Sequence, residues 1–246
     1  MPANGPGTGA RLWTPLDGGV RGPAAWYDAS NTASVQPVGG GSGTRCGAWF
    51  DLSGNQRTLS QATYANTPAT GTAGYAGRNV LVFTGGHQVD AASNWTSTWT
   101  AGSAFIVCRQ TTISNGHWQF GGGVDSWHTF SDGDAYEWFG TNSRKSWTPS
   151  SSFAQLHTYA VIAAASDWRA YSNGKLDFST GTNTVSFGLT PKIGTGNAAY
   201  QGHIAELILF DHAVSEQTRT TIERYLSAKW GIPNALGACS PPLVFA

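Results

Sequence analysis

The densest run of chemistry-bearing side chains lies at residues 125–138. It holds Asp125, Trp127, His128, Asp132, Asp134, Glu137 and Trp138. Carboxylates accept hydrogen bonds from sugar hydroxyls, and indole faces stack on sugar rings. Trp127, His128, Asp132, Asp134 and Trp138 are therefore the candidate carbohydrate-binding set. The plainer reading is a hairpin with a solvated acidic tip, because Asp132-Gly133-Asp134 is turn chemistry between strands at 127–130 and 136–140. A pair of catalytic carboxylates in the same run is the third reading. A second oxygen-rich stretch, Asp51-Leu52-Ser53-Gly54-Asn55, places Asp51, Ser53 and Asn55 at alternate positions around a glycine. Calcium favours such loops, and it is the one cofactor the sequence suggests, although the second carboxylate and distal Glu of an EF-hand are missing and a plain turn fits as well. Six histidines, at 87, 117, 128, 157, 203 and 212, show no tight metal spacing. No Gly-x-Ser-x-Gly elbow or Walker loop appears. The glycine runs at 39–43 and 121–123 read as flexible loops. No residue is assigned a catalytic role.

Elements must hold these side chains in place, and the composition limits which ones. The chain has 246 residues, 14 Lys+Arg against 14 Asp+Glu, and a formal net charge of zero. Only 11% of residues are charged, so the polar surface must be built from hydroxyls, amides and backbone. Gly (32), Thr (27), Ser (23) and Asn (12) make up 94 residues, while 11 tryptophans supply large apolar rings. No basic excess exists to neutralise phosphates, which excludes nucleic acid as an expected partner. No apolar run of 18 residues occurs, which excludes a membrane-spanning helix.

Short aromatic and β-branched stretches bounded by Gly, Ser, Asn and Asp read as strands at 24–27, 48–51, 80–83, 104–109, 117–120, 127–130, 136–140, 157–163, 168–172, 175–179, 192–194 and 203–210. The stretch at 157–163 alternates as a half-buried strand. Asn173-Gly174 is the clearest two-residue hairpin turn. Trp26 and Trp49 are expected to fill the space between two sheets. Glu206 interrupts an apolar run and needs a buried partner or an edge position. One helix is expected, capped by Ser215, with Glu216 at its positive end, Lys229 in its last turn and Gly231 as its stop. Val214, Ile222, Tyr225, Leu226 and Trp230 share its apolar face.

Residues 1–22 read as a Gly/Pro-rich arm anchored by Trp13 and Leu16, residues 23–232 as the domain, and 233–246 as a tail ending in Leu243, Val244 and Phe245. No signal peptide is legible at the start, so manufacture in a cytoplasm is the expectation. Cys108 reads as a buried free thiol, and a Cys46–Cys239 bridge is conceivable on the residues alone.

Several segments in order resemble the concanavalin A-like lectin/glucanase superfamily, and within it laminin-G-like domains of the type found in bacteriophage virion proteins. They are Ala25-Trp26-Tyr27-Asp28-Ala29-Ser30, then Trp49-Phe50-Asp51-Leu52-Ser53-Gly54-Asn55 with Leu59-Ser60-Gln61-Ala62 and Thr67-Pro68. Next come Asn79-Val80-Leu81-Val82-Phe83-Thr84-Gly85, Leu156-His157-Thr158-Tyr159-Ala160-Val161 and Tyr171-Ser172-Asn173-Gly174. The most specific stretch runs from Ile193-Gly194 through 200–211 to Tyr225-Leu226-Ser227-Ala228-Lys229-Trp230-Gly231. The resemblance implies an all-β, two-sheet antiparallel jelly-roll sandwich with one short C-terminal helix. Family members that cleave β-glucans carry Glu-x-Asp-x-Glu on a strand. This chain has four glutamates (137, 206, 216 and 223), none in that motif.

The first functional expectation is a non-enzymatic virion structural or decoration protein, associated with a head or tail fibre. Its lectin-like domain would face outward toward host-surface glycans. Its partners would be other virion proteins and copies of itself, contacted through Trp13, Leu16, Leu243, Val244 and Phe245. A stand-alone carbohydrate-binding module is the alternative, and a glycoside hydrolase or lyase with an atypical acid pair is the second alternative.

Overall fold

The computed structural model describes residues 13–17, 21–40, 43–123, 126–196 and 198–237. Asp125, Cys239, Leu243, Val244 and Phe245 lie outside the described residues. In chain order the strands are β1 (Ala25–Asp28), β2 (Val35–Pro37), β3 (Cys46–Trp49), β4 (Leu59–Ser60), β5 (Gly74–Tyr75), β6 (Arg78–Asn79), β7 (Leu81–Thr84), β8 (Val89–Ala91) and β9 (Gly102–Gln110). They continue with β10 (Trp118–Gln119), β11 (Ala135–Glu137), β12 (Lys145–Trp147), β13 (His157–Ala164), β14 (Asp167–Ser172), β15 (Lys175–Thr180), β16 (Lys192–Ile193) and β17 (Gln201–Phe210), and helix α1 (Glu216–Trp230) closes the series.

Two antiparallel sheets form a jelly-roll-like sandwich. One runs β1-β17-β9-β13-β14-β15, with β7 pairing β17 beyond β1; the other runs β10-β16-β8-β4-β3-β2. The inner faces share a core of Trp49, Trp118, Trp168, Phe83, Phe139, Tyr27, Tyr159 and their aliphatic neighbours. Trp26 departs from the sequence expectation. It points away from that core and joins Phe105, Phe210, Ile222, Leu226 and Trp230 under α1. The helix thus makes a third layer on the outer face of the larger sheet. This is why β13, expected to be half-buried, is buried on both faces along almost its whole length.

The strands read best from sequence were the long ones, β9, β13, β14, β15 and β17. The short strands β2, β4, β5, β6, β8 and β12 carry two or three residues each and show too little alternation to be read. The expected strand at 127–130 is a correction. Its backbone makes one bridge, Trp127 to Tyr136, and β11 pairs instead with β12. The Asn173-Gly174 turn forms as expected, with φ of 48° and 80°. Glycine is required there. A Cβ on Gly174 would lie 2.2 Å from the Asn234 side-chain oxygen, because the chain after α1 returns to pack on this turn.

Helix α1 starts at Ser215, whose hydroxyl accepts the Thr218 amide at 3.1 Å, and stops at Gly231 with φ 68°. A bulge in the β17–β9 ladder between Ile204 and Glu206 shifts the side-chain alternation by one. Ile204 faces the inner core, while Ala205 and Glu206 both face α1. Trp13 packs on the same layer, its ring 5.2 Å from that of Tyr225. The described arm therefore docks Trp13 on its own domain. Leu16 is 49% exposed.

Candidate functional site

The segment 126–138 separates into parts that face different ways. Trp127 stacks on Phe130 with ring centroids 4.5 Å apart, and Tyr136 meets both edge-on. The tip beyond them is latched by its acids. Asp132 accepts the Tyr136 hydroxyl and the Asp134 amide, and Asp134 accepts the Thr148 hydroxyl at 2.6 Å. The Tyr136 hydrogen bond is the main reason the Asp132 carboxyl sits below its usual range. Trp138 lies elsewhere, against Gly121 and Gly123. A Cβ on Gly121 would fall 1.5 Å from the Trp138 carbonyl, so this run, expected to be a flexible loop, is glycine for close packing. His128 is only 2% exposed and points inward. The five expected carbohydrate contacts therefore do not share a face, and His128 cannot stack on a ligand at the surface.

The latched tip is one wall of an open cleft of about 460 Å³. Thr129 and Gly133 line it from the tip, Gln110–Ile113 from the end of β9, and Pro149–Ala154 from the segment after β12. Backbone bonds fix these walls: Gln110 N–H to the Phe153 carbonyl at 2.9 Å, and Ser114 N–H to the Thr129 carbonyl at 2.6 Å. The Asp134–Thr148 bond ties the tip to the residue before Pro149. Among the described residues no lining side chain is ionisable; hydroxyls and one amide dominate. Gln110 is 5% exposed, and its Oε1 has no hydrogen-bond partner among the described residues. Ile113 is 60% exposed at the rim. Sequence reasoning missed this cleft, because its residues come from three separate stretches of ordinary Thr and Ser.

Behind the tip, between the sheets, lies a buried polar chamber. Glu137, the last residue of β11, is fully buried. Its Oε1 accepts Ser126 Oγ at 2.8 Å and the amides of Trp138 and Phe139 at 2.7 and 2.8 Å. Trp118 Nε1 donates across both carboxylate oxygens. Oε2 faces His128 Nε2 at 3.2 Å and the Tyr159 hydroxyl at 3.5 Å. Burial alone would raise the carboxyl's pKa; the His128 contact, Trp118 and Ser126 outweigh it and hold it below the usual range. His117 sits beside His128, with ring centroids 4.1 Å apart. His117 is fully buried, and neither of its ring nitrogens has a hydrogen-bond partner among the described residues. Burial, then the neighbouring imidazoles, hold it well below the normal imidazole range. Next to them, His157 stacks on Phe153 at 4.3 Å and meets the Cys108 thiol at 3.6 Å. Burial pushes His157 down to about 4 and Cys108 up to about 12, so Cys108 is the buried thiol expected.

The calcium reading of Asp51, Ser53 and Asn55 is replaced by a turn. Asp51 Oδ1 accepts the amides of Trp26 and Ser53, and Oδ2 accepts Ser53 Oγ and the Arg57 amide. Asn55 turns its NH2 to the carbonyls of Pro23 and Ala24. The oxygens a cation would need are spent on donors, and the loop clasps the chain entering β1. Glu206 found the partners it required. Its carboxylate accepts Trp26 Nε1 and Trp230 Nε1 at 2.8 Å each, Tyr225 Oη at 2.9 Å and Lys229 Nζ at 2.7 Å. Lys229 also reaches Asp28 at 2.6 Å.

No family model matches this chain, and no curated protein matches it significantly. Its fold is similar to that of domain 4 of an extracellular GH43 arabinanase from Geobacillus stearothermophilus, solved with arabinotriose, at TM-score 0.59 and 16% identity, covering 82% of this chain and 98% of that one. A sialidase from Trypanosoma rangeli, solved with the inhibitor DANA, superposes at TM-score 0.57 and 12% identity over 83% of this chain and 33% of its own. The ligand-binding domain of botulinum neurotoxin serotype D, solved with N-acetylneuraminic acid, gives TM-score 0.56 and 11% identity over 86% and 54%. The chain thus spans about half of the neurotoxin chain and a third of the sialidase. These likenesses establish a lectin-like β-sandwich fold.

Proposed function

We propose that this chain is a non-enzymatic glycan-binding domain that holds a neutral oligosaccharide segment in the cleft between the 129–133 tip and the 149–154 wall. The uncharged lining carries the reading. Six hydroxyl side chains (Thr111, Thr112, Thr129, Ser150, Ser151 and Ser152) can each donate and accept, as a sugar hydroxyl can. The unpartnered Gln110 Oε1 offers a buried acceptor that a ligand hydroxyl would satisfy. Ile113 supplies an apolar edge for a sugar C–H face. The cleft volume falls within the range of about 300–1,000 Å³ usual for ligand sites. Sugars bound to the fold neighbours include arabinotriose and N-acetylneuraminic acid. A sialic acid carries a carboxylate that calls for a cation, and none lines this cleft, so a neutral sugar fits better. Display on a phage particle, among other virion proteins and copies of itself, is the wider setting we propose. It rests on the sequence resemblance, with exposed Leu16 as an apolar contact.

A glycan array followed by calorimetry tests the reading. The natural chain should retain at least one neutral oligosaccharide, and Ser151→Trp, which fills the cleft from a partly exposed position, should weaken it tenfold or more. Retention of acidic glycans only, release of hydrolysis products, or binding unchanged in Ser151→Trp would contradict it.

A further inference from the structure

The cleft leaves the chamber behind it unexplained. A buried polar atom without a partner costs about 1–3 kcal/mol, and native interiors carry few of them. Here both nitrogens of His117 are in that state among the described residues, beside the His128 ring, and an ion held by one of them would relieve it. Glu137 is not: four donors reach its Oε1, and its Oε2 accepts Trp118 Nε1 at 3.0 Å while facing His128 Nε2 at 3.2 Å. His117, His128 and Glu137 can each bring one ligand atom to within 4.8 Å of the others, and all three are buried.

We propose that His117, His128 and Glu137 form an internal binding site for a divalent transition metal of the zinc class. Two neutral imidazoles and a carboxylate are the donor set that suits such ions, and calcium or magnesium would demand more oxygen. The spacing agrees. Metal–ligand bonds of about 2.0–2.1 Å in a tetrahedral site separate neighbouring ligand atoms by about 3.3 Å, and His128 Nε2 stands 3.2 Å from Glu137 Oε2. The outer shell is already in place, because Ser126 and the Trp138 and Phe139 amides hold the other carboxylate oxygen and Trp118 Nε1 donates to both oxygens. The His117 ring, packed 4.3 Å from Trp118, is oriented by stacking instead. The site joins three separate pieces of backbone: the residue before β10, the segment before β11, and the end of β11. A metal here would cross-link the lip of the smaller sheet to the tip that walls the cleft. Its burial implies that the ion enters as the chain folds.

The test uses the full chain without a histidine tag, expressed with zinc and also refolded from denaturant with zinc, cobalt or a chelator. About one equivalent of metal should remain after desalting. The cobalt form should show the intense visible bands of a tetrahedral site. Tm should rise by about 5 °C or more over the chelated protein. His117→Phe and His128→Phe should each lower retained metal tenfold or more, while His212→Ala, on the far side of the larger sheet, leaves it unchanged. Less than a tenth of an equivalent in the natural chain, with equal Tm in zinc and chelator, would overturn the proposal. So would metal retained equally by a folded His117→Phe, or an octahedral cobalt spectrum. If His117→Phe does not fold, the stoichiometry and cobalt spectrum of the natural chain decide the matter.

Discussion

Two buried glutamates, on opposite faces of the larger sheet, were built for different ends. Glu206 is closed. Lys229 neutralises it, Trp26, Trp230 and Tyr225 fill its remaining lone pairs, and the bulge in β17 aims it at α1. Every polar neighbour it touches has a partner in it. Glu137 borders groups that are not closed in this way. Its Oε1 is saturated, while its Oε2, held by Trp118 Nε1, also faces the His128 imidazole, and His117 beside that ring has no partner on either nitrogen among the described residues. The difference teaches that burial of a carboxylate is not by itself a sign of function. What distinguishes the two is whether the groups around the carboxylate are satisfied by each other.

The largest effect should come from breaking the closed clasp. Glu206→Ala leaves Lys229 with Asp28 as its one carboxylate partner and strips Trp26, Trp230 and Tyr225 of their acceptor, so it should cost about 3–5 kcal/mol in urea unfolding. A loss below about 1 kcal/mol would mean that the clasp is not what holds α1 to the sheet. This penalty should be the same with zinc or with a chelator, because the clasp is complete without a metal.

Acid should act next, and on the two faces in opposite senses. His157, in the chamber region, is held at about 4 in the folded chain, whereas an unfolded histidine titrates near 6.5. Below about pH 6.5 the unfolded state takes up this proton first, so the stability it contributes is present above that pH. It is lost progressively until about pH 4, up to about 3 kcal/mol in all. The Glu206 carboxyl is raised by burial, against the pull of Lys229. Its folded form takes a proton before the unfolded form does, so it contributes no such loss as pH falls. Chemical denaturation at pH 7.5, 6, 5 and 4 should show the decline, and His157→Phe should make it shallower, leaving the part that the depressed His117 contributes. An unchanged slope in that variant would move the acid sensitivity elsewhere.

A smaller effect separates stability from binding. Asp134→Ala removes the Thr148 latch between the two walls of the cleft. The loss of one exposed hydrogen bond should cost less than about 1 kcal/mol of stability, yet calorimetry should show glycan affinity falling several-fold. Equal affinity would show that the tip is not a wall of the binding site. Smallest of all, Ser131→Ala at the exposed tip should leave stability unchanged within about 0.5 kcal/mol.

Much of this frame was legible in the residues. Strands 157–164, 167–172 and 175–180 announce themselves by apolar runs around Asn173-Gly174, and α1 by Ser215 and Gly231. Glu206 was legible as a group in need of partners, though not which ones, because the bulge that turns it toward Trp230 lies in a run whose other residues are apolar on both faces and so leaves no mark on the sequence. The two-residue strands β4, β5 and β6 were missed, since two residues carry no period. The chamber was invisible for another reason. His117, His128 and Glu137 stand 11 and 9 residues apart on separate pieces of backbone, and only the closing of the smaller sheet over β13 brings them together. The cleft was invisible because hydroxyl side chains are everywhere in this chain, and only their placement is special.

The claim that a neutral glycan lies in that cleft is tested most directly by mapping amide NMR shifts during titration with the tightest neutral oligosaccharide from the array. The account predicts perturbations concentrated at 110–113, 129–133 and 149–154. Perturbations concentrated on the free face of the smaller sheet, around Asp90, Gln119 and Lys192, with the cleft silent, would contradict it.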